Sequence, residues 1–449
     1  MAITEHKDIE KGDNKGLEDL VEPLIDEDGS KDCKETDHNG SISMVLLSTA
    51  VAVCRSLEFG SCVGYSAPVQ SDISIDLNLS VAEFSLFGSI VTIGAITSGR
   101  IADTIGRKGA MALSAVFCIA GWLAIFSSMG SLLLDSGRFF TGYGIGIFSF
   151  VVPIYIAEIA PKNLRLTTLN QLMSVTGSSI SFLLGTVVSW RTLALTGLVP
   201  CILLLVGLLF IPESPRWLAK VGREAEFERS LRKLRGAKAD IFAEADEIHE
   251  TILTLQSLPR ARLLDLFNAK YIKPVMIAVG LMVCQQSGGI NGIGFYASET
   301  FQTAGLSSGK AGTIAYALIQ IPVTMIGVVL MDKSGRRALL MVSSSGTFLG
   351  CFLAGTLFFF KGQAIFLEWV PLLAVSGVLV FIALFSIRMG AVPWLIMSEI
   401  FPLHIKGAAG SLAVLVNWFG AWTVSYSFNF LINWSPAGTF SSPSLWFSG

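Results

Sequence analysis

GRIADTIGRK at residues 99–108 returns in shorter form as DKSGRR at 332–337, and this repetition organises the whole chain. Each copy follows the second apolar run of its half. A second pair, EIAP at 158–161 and EIFP at 399–402, follows the fourth apolar run of each half. Two matched motifs at matched positions predict a chain built from a duplicated helical bundle.

The composition excludes several classes of protein. Of 449 residues, 52% are hydrophobic and 15% charged, and the mean hydropathy of +0.63 is typical of a membrane protein with many spans. The net charge of -2 gives no indication of a nucleic-acid partner. The cysteines and histidines show no metal-ligand spacing and no nucleophile is paired with a base, so we expect no metal, no cofactor and no enzymatic activity.

Apolar runs long enough to cross a bilayer divide the chain. A span needs about 17–25 residues, and we predict six spans before and five after a polar insertion, at residues 44–66, 84–102, 109–128, 131–152, 167–189, 192–211, 274–297, 311–331, 338–360, 369–397 and 407–431. Cations follow the even-numbered spans, so the positive-inside rule predicts a cytoplasmic N-terminus. The insertion has apolar residues at helical spacing, which predicts short amphipathic helices on the cytoplasmic face.

The predicted organisation has five parts. These are a disordered cytoplasmic tail (1–43), an N-terminal six-helix bundle (44–211), a cytoplasmic helical linker (212–273), a C-terminal bundle of five helices (274–434) and a short non-cytoplasmic tail (435–449). Within the first tail, Leu20, Leu24 and Ile25 resemble a dileucine signal that sorting machinery would read.

Uncharged amides interrupt the first apolar run of the second half, in QQSGGINGIGFY at residues 285–296. Each amide offers two donors and an acceptor without a charge, which suits the vicinal hydroxyls of a neutral sugar. On a continuous helix, Gln286 and Asn291 would lie five positions apart on neighbouring faces. The alternative is that these amides only join helices, as polar residues in membrane bundles often do.

Six motifs in order resemble the sugar porter family of the major facilitator superfamily. They span residues 44–434 and are GRIADTIGRK (99–108), GRFFTGYGIG (137–146), PESPR (212–216), QQSGGIN (285–291), DKSGRR (332–337) and PWLIMSEIFP (393–402). EFGSCVGYSAP (58–68) and AEFSLFGSI (82–90) are similar to a plant branch, the early-response-to-dehydration-like sugar transporters. The resemblance implies an all-α, two-bundle transporter that carries a monosaccharide such as glucose by alternating access.

The resemblance also implies which residues act. The family's sugar-binding positions fall on Phe59, Gln171, Gln285, Gln286, Asn291, Gln320, Trp394 and Asn417. Cytoplasmic salt bridges that open and close one side are implied for Asp103, Arg107, Arg138, Glu158, Arg165, Arg216, Asp332, Arg336, Glu399 and Lys406. The alternative for the charged set is static topology, because cations at cytoplasmic helix ends obey the positive-inside rule in any case.

Departures from the family pattern bear on mechanism. Proton-coupled relatives have an aspartate where this chain has Cys62, so facilitated diffusion is favoured. Glu58, one helical turn away, is the alternative proton site unless it only pairs with Arg55. Arg55 and Arg388 replace small residues, and a charge at mid-span costs about 2.5–3.5 kcal/mol. Gln171 comes two residues early, which rotates it by roughly 200°.

The chain stops soon after Trp434, without the family's twelfth span, as in a truncated or alternatively spliced product. Three hypotheses therefore stay open: a uniporter, a proton–sugar symporter, and a regulatory isoform that does not transport. The expected partners are a small neutral sugar, the lipid bilayer and, for the symporter, protons. Plant relatives commonly occupy the vacuolar membrane, which we favour over the plasma membrane.

Overall fold

The structure is a computed structural model that describes most of the chain. The described ranges are 42–98, 101–161, 167–236, 239–257, 263–268, 270–306, 309–333, 336–363, 370–388 and 400–440, with residues 394, 396 and 397. All regular secondary structure in these ranges is helical. Because hydrocarbon offers no partner for a backbone amide, a helix that satisfies its own backbone suits this apolar chain. The prediction of an all-α fold is confirmed.

The first half of the molecule (residues 42–208) holds eight helices. They are α1 (Ile42–Gly64), α2 (Ser66–Asp76), α3 (Val81–Thr97), α4 (Ala102–Phe126), α5 (Ser131–Ile159), α6 (Thr167–Leu184), α7 (Trp190–Thr196) and α8 (Leu198–Leu208). Helix α1 packs against α5, α6 and α8, and α5 packs against α3 and α4. A capping box begins α3, because Ser80 accepts from the Glu83 amide and the Glu83 carboxylate accepts from the Ser80 amide.

The insertion forms α9 (Pro215–Val221), α10 (Glu224–Arg235) and α11 (Phe242–Ser257), followed by a 3₁₀ turn at Leu263–Phe267. Ser214 caps α9, Pro215 occupies its first turn, and Gly222 ends it with φ of 78°. Apolar residues of the three helices form a small separate core, as their spacing predicts. Helix α9 packs against α4 and α5, and we call the end of the bundle where it lies the insertion face.

The second half (residues 272–440) repeats the pattern with a broken first span. Its helices are α12 (Ile272–Ser287), α13 (Ile290–Phe295), α14 (Ala297–Ala304), α15 (Gly309–Lys333), α16 (Arg336–Gly362), α17 (Val370–Arg388) and α18 (Leu403–Trp434). Residues 436–440 form a further helical turn. The ring of Phe440 stacks on Phe358, with ring centroids 5.1 Å apart, so this segment packs on the bundle.

Seven described helices are long and apolar enough to cross a membrane, and two shorter apolar helices, Val81–Thr97 and Leu372–Ser386, accompany them. Sequence patterns predicted eleven spans. The difference arises partly at α12, where the apolar run at 274–297 is divided by glycines instead of forming one helix. The chain is nevertheless a multi-pass membrane protein, since helices of this length and composition need a hydrocarbon environment.

The two halves meet mainly along two helix pairs, α3 with α18 and α6 with α15. Within the first half, glycines let α1 and α6 touch backbone to backbone. A Cβ built at Gly177 would lie 2.0 Å from the Leu57 carbonyl oxygen, and one at Gly60 would lie 1.8 Å from the Ser174 carbonyl oxygen. Any larger residue at these positions must push the helices apart.

We predict that Gly177→Ala destabilises the protein by about 1–3 kcal/mol, because the added methyl group meets backbone atoms that have no rotamer to change. Thermal unfolding in detergent measures the effect. The matched control is Gly280→Ala on α12, where a built Cβ meets nothing within 4 Å. Equal melting temperatures for the two variants would contradict the close approach of α1 and α6.

Candidate functional site

A break in the helix at Gly288 and Gly289 shapes the centre of the molecule. Gly289 has φ of 80°, a left-handed conformation that favours glycine. The Gly288 amide still donates to the Cys284 carbonyl at 3.2 Å, and the Gly289 amide to the Gln286 carbonyl at 3.0 Å. The prediction of a continuous helix here is wrong, and the turn brings Asn291 back towards Gln286.

Three amides meet at this break and form what we call the amide cluster: Gln286, Asn291 and Asn417. Gln286 donates from Nε2 to Asn417 Oδ1 at 2.6 Å, and its Oε1 accepts from Asn291 Nδ2. In these two hydrogen bonds Asn291 uses Nδ2 and Asn417 uses Oδ1. The other polar atom of each side chain, Oδ1 of Asn291 and Nδ2 of Asn417, can therefore bind a ligand. Gln285, next to the cluster, is also buried.

Aromatic rings from the two halves meet at Trp418, the residue after Asn417. Phe59 of the first half approaches Trp418 of the second half, with ring centroids 6.3 Å apart, and Phe148 at 5.9 Å. Trp418 was not predicted, although it directly follows Asn417 in the sequence. Aromatic rings and amides are the two kinds of group that suit a sugar ring, which presents carbon faces and hydroxyl edges.

Gln320 and Gln171 occupy different positions relative to the interface between the halves. Gln320 on α15 accepts a long hydrogen bond of 3.5 Å from Ser178 on α6. Gln171 is exposed on α6, two turns before Ser178. Its neighbour Asn170 is the residue that contacts α1, accepting from Ser56 at 2.6 Å.

Of the remaining predicted site residues, Trp394 is half-buried and helical, and the residues on either side of it lie outside the described ranges.

A charged network lies at the insertion face. Arg107 donates to both carboxylate oxygens of Glu158, at 2.9 and 3.0 Å, and to Asp103 at 3.2 Å. Lys220 of α9 lies 3.5 Å from Asp103. Glu213 of the PESPR motif accepts from the backbone amides of residues 107 and 108, and burial raises the pKa of its carboxyl group. The network joins α4, α5 and the insertion.

The other predicted gating residues do not all reach this network. Arg216 is exposed. Arg138 lies twenty positions before Glu158 on α5, about 30 Å away along the axis, so it is not part of the insertion-face network. It donates to Ser66 at 2.6 Å and lies over the rings of Tyr65 and Phe87. Outside the described residues lie Arg165, Glu399 and the side chains of Asp332, Arg336, Arg388 and Lys406.

Arg55 and Glu58 are both fully buried in the first half. Arg55 lies 3.9 Å from Glu58 and donates to Ser114 Oγ at 3.2 Å and to Cys118 Sγ at 2.7 Å. Glu58 accepts from the Trp122 indole at 2.5 Å. The Glu58 carboxylate and the thiols of Cys62 and Cys118 could hold a soft cation, since their ligand atoms lie within 4.8 Å. The Arg55 guanidinium beside Cys118 opposes such binding by its charge.

Two packed helical halves in a multi-pass membrane protein are the architecture of a membrane carrier. The chain belongs to the sugar transporter family, because residues 51–442 match the family model described as "Sugar (and other) transporter". It is therefore a transporter and not an enzyme.

Individual relatives agree with this assignment. Sugar transporter ERD6-like 16 of Arabidopsis thaliana is 64% identical over 448 residues, which are 98% of this chain and 92% of the relative. Sugar transporter ERD6-like 7 of the same plant is 56% identical, with 95% and 92% covered. These proteins confirm the predicted resemblance to a plant branch of sugar porters.

Solved structures confirm the major facilitator fold. The proton:xylose symporter XylE bound to 6-bromo-6-deoxy-D-glucose superposes with a TM-score of 0.74 at 24% identity, over 90% of this chain and 94% of that one. A partially occluded inward-open XylE from E. coli gives a TM-score of 0.74 at 23% identity, with 90% and 96% covered.

The buried contacts of Arg107 lead to a stability prediction. Glu158→Gln should lower the free energy of unfolding by roughly 1.5–3 kcal/mol, because it weakens two charge-assisted hydrogen bonds of a guanidinium that is only 7% exposed. Chemical or thermal unfolding in detergent measures this loss. Glu226→Gln is the control, since Glu226 pairs with Arg223 in solvent. If Glu158→Gln unfolds like the control, the network does not stabilise the insertion face.

Proposed function

We propose that the protein carries a monosaccharide, a hexose such as glucose, across a membrane by facilitated diffusion with alternating access. The observation that supports this most directly is the amide cluster, which offers buried, uncharged donors and acceptors where three segments of the second half meet. A sugar that leaves water must recover its hydrogen bonds, because each buried polar group left unpaired costs about 1–3 kcal/mol. Amides can supply them without adding a charge.

The proposed substrate contacts come from both halves. Phe59 and Trp418 would cover the carbon faces of the ring, while Gln285, Gln286, Asn291 and Asn417 would pair with its hydroxyl groups. Gln320 lies at the interface with α6 and would approach from the side. The same requirement would give selectivity, since a solute that lacks a hydroxyl leaves one of these amides unpaired.

Facilitated diffusion is favoured over proton symport by the surroundings of Glu58. Its contacts, to Arg55, Cys62 and Trp122, all lie within the first half. Arg55 is a buried cation that needs a counter-ion, and Glu58 serves that need if it stays ionised. A carboxylate committed in this way is poorly placed to bind and release a proton in each cycle. Symport through Glu58 is the alternative.

The insertion-face network would then act as a gate on the cytoplasmic side. We place the N-terminus and α9–α11 in the cytosol, because the cations Arg107, Lys108 and Lys220 gather at that face. Vacuolar-membrane residence is proposed from the resemblance to plant sugar porters, which commonly occupy that membrane, and from the sorting-like motif of the N-terminal tail, whose residues lie outside the described ranges.

We predict that the double variant Gln286→Leu/Asn291→Leu reduces glucose exchange in reconstituted vesicles at least about tenfold, because it removes hydrogen bonds that replace the sugar's hydration. Counterflow of labelled glucose is the measurement. Gln256→Leu on the exposed side of α11 is the control, and it should exchange at the parental rate. Parental exchange in the double variant would remove the basis for the proposal.

A second prediction separates uniport from symport. Glucose should not accumulate in vesicles against its own gradient when a pH difference is imposed, because the Glu58 carboxylate is held as the counter-ion of Arg55. Uphill uptake that depends on the pH difference and disappears in Glu58→Gln, while exchange persists, would instead establish symport.

A further inference from the structure

Polar contacts between the two halves gather at the face away from the insertion. We call this end, where residues 77–80 and 185–189 lie, the loop face. Helix α2 of the first half packs there against α14 of the second. Hydrogen bonds across the halves at this face are Gln70 Nε2 to Glu299 Oε2, Asn429 Nδ2 to Ser85 Oγ at 3.1 Å and Lys310 Nζ to the Thr186 carbonyl at 3.4 Å.

Glu299 is the one carboxylate in this group, and both of its oxygens are engaged. Gln70 of the first half donates to Oε2, and Asn433 of the second half donates to Oε1 at 3.3 Å. Asn433 is itself fixed by a 2.8 Å hydrogen bond to the Asn429 carbonyl. A single carboxylate on α14 thus joins α2 to α18. Hydrogen bonds to a charged acceptor are strong and directional, and they suit a contact that must form in one geometry.

An aromatic plug lies directly beneath this carboxylate. Tyr296, three positions earlier, stacks on Phe428 with ring centroids 6.0 Å apart and meets Phe84 of the first half at 6.2 Å. A Cβ built at Gly88 would lie 2.7 Å from the Tyr296 hydroxyl oxygen, so the ring fits tightly against α3. The two halves are therefore in contact at this face through two layers. Glu299 and its hydrogen bonds form the outer layer, and the rings of Tyr296, Phe428 and Phe84 form the inner one.

The insertion face has a different arrangement. In its network Arg107 pairs with Glu158 inside the first half, and Asp103 pairs with Lys220 of the insertion. Neither of these described ion pairs reaches the second half. Among the described residues, closure between the halves is therefore concentrated at the loop face. The structure corresponds to a carrier shut at that end.

We infer that Gln70, Glu299 and Asn433 form a latch that holds the loop face shut and parts once in every transport cycle. The inference rests on the proposed function only in requiring that the halves move relative to each other. A carboxylate held by neutral amides suits such a role, because opening to water exposes only one charge and two amides, all of which water solvates well. An ion pair at this position would have two charges to separate.

The latch is tested by the reactivity of a thiol placed beneath it. Ser89→Cys puts a thiol on α3 one helical turn below Ser85, at a position that is fully buried in the closed state and whose hydroxyl bonds only its own helix. A hydrophilic maleimide applied to the protein in lipid nanodiscs should label it slowly, after subtraction of the labelling of native cysteines. Adding Gln70→Glu sets two carboxylates against each other and should accelerate labelling at least about tenfold by opening the loop face. Ser71→Glu adds the same charge to an exposed neighbour and should leave the rate within about twofold of the parent.

Exchanging Gln70 and Glu299 between their positions distinguishes an opened latch from a misfolded protein, since both could give fast labelling. Gln70→Glu/Glu299→Gln restores one carboxylate and one amide, so labelling should return to within about twofold of the slow parental rate. Slow labelling of the single Gln70→Glu variant, or fast labelling of the exchanged pair, would overturn the latch. Labelling is measured without sugar, so it tests the latch independently of transport. If the parent protein does not exchange glucose, the proposed function is wrong, but the labelling rates still decide whether the latch exists.

Discussion

A helix that is interrupted at membrane depth must recover the hydrogen bonds it gives up, and this requirement governs the centre of the molecule. The backbone amides of Gly288 and Gly289 donate to the carbonyls of Cys284 and Gln286, so these two donors stay paired at the interruption. The side chains complete the arrangement, because Gln286 is engaged by Asn291 from one side and Asn417 from the other. The polar centre exists because the break is compensated within the protein.

Two buried arginines inside the bundle are stabilised by several kinds of contact. Arg55 is accommodated by a serine, a thiol, the ring of Phe148 and the carboxylate of Glu58. Arg138 has Ser66 and two aromatic faces, which attract a cation through their ring quadrupoles. Both guanidinium groups lie at full burial, where an isolated charge would be strongly disfavoured. Neither position is accessible to a small neutral solute without disturbing these contacts.

The sequence was informative where the signal is local or repeated. Composition, apolar runs and duplicated motifs predicted an all-helical, two-half carrier, and the family and fold comparisons confirm it. The amides of the QQSGGIN motif could be singled out because uncharged polar residues are conspicuous in an apolar run. Their role in sugar binding stays a prediction.

Contacts that depend on how separate helices meet could not be read in this way. Trp418 resembles any aromatic residue of a lipid-facing helix until Phe59 is placed against it. Gln70, Glu299 and Asn433 are distant in sequence, and their meeting requires both halves to be in place. Arg138 was grouped with the insertion-face charges by motif, although its distance from Glu158 along α5 already separates them.

The backbone contact between α1 and α6 has a mechanical consequence. Where Gly60 and Gly177 let main chains touch, there is no layer of flexible side chains that could yield, so these helices cannot slide without breaking their fit. The first half should consequently pivot as a single rigid block. Movement during transport must then occur at the interface between the two halves, where α3 packs against α18 and α6 packs against α15.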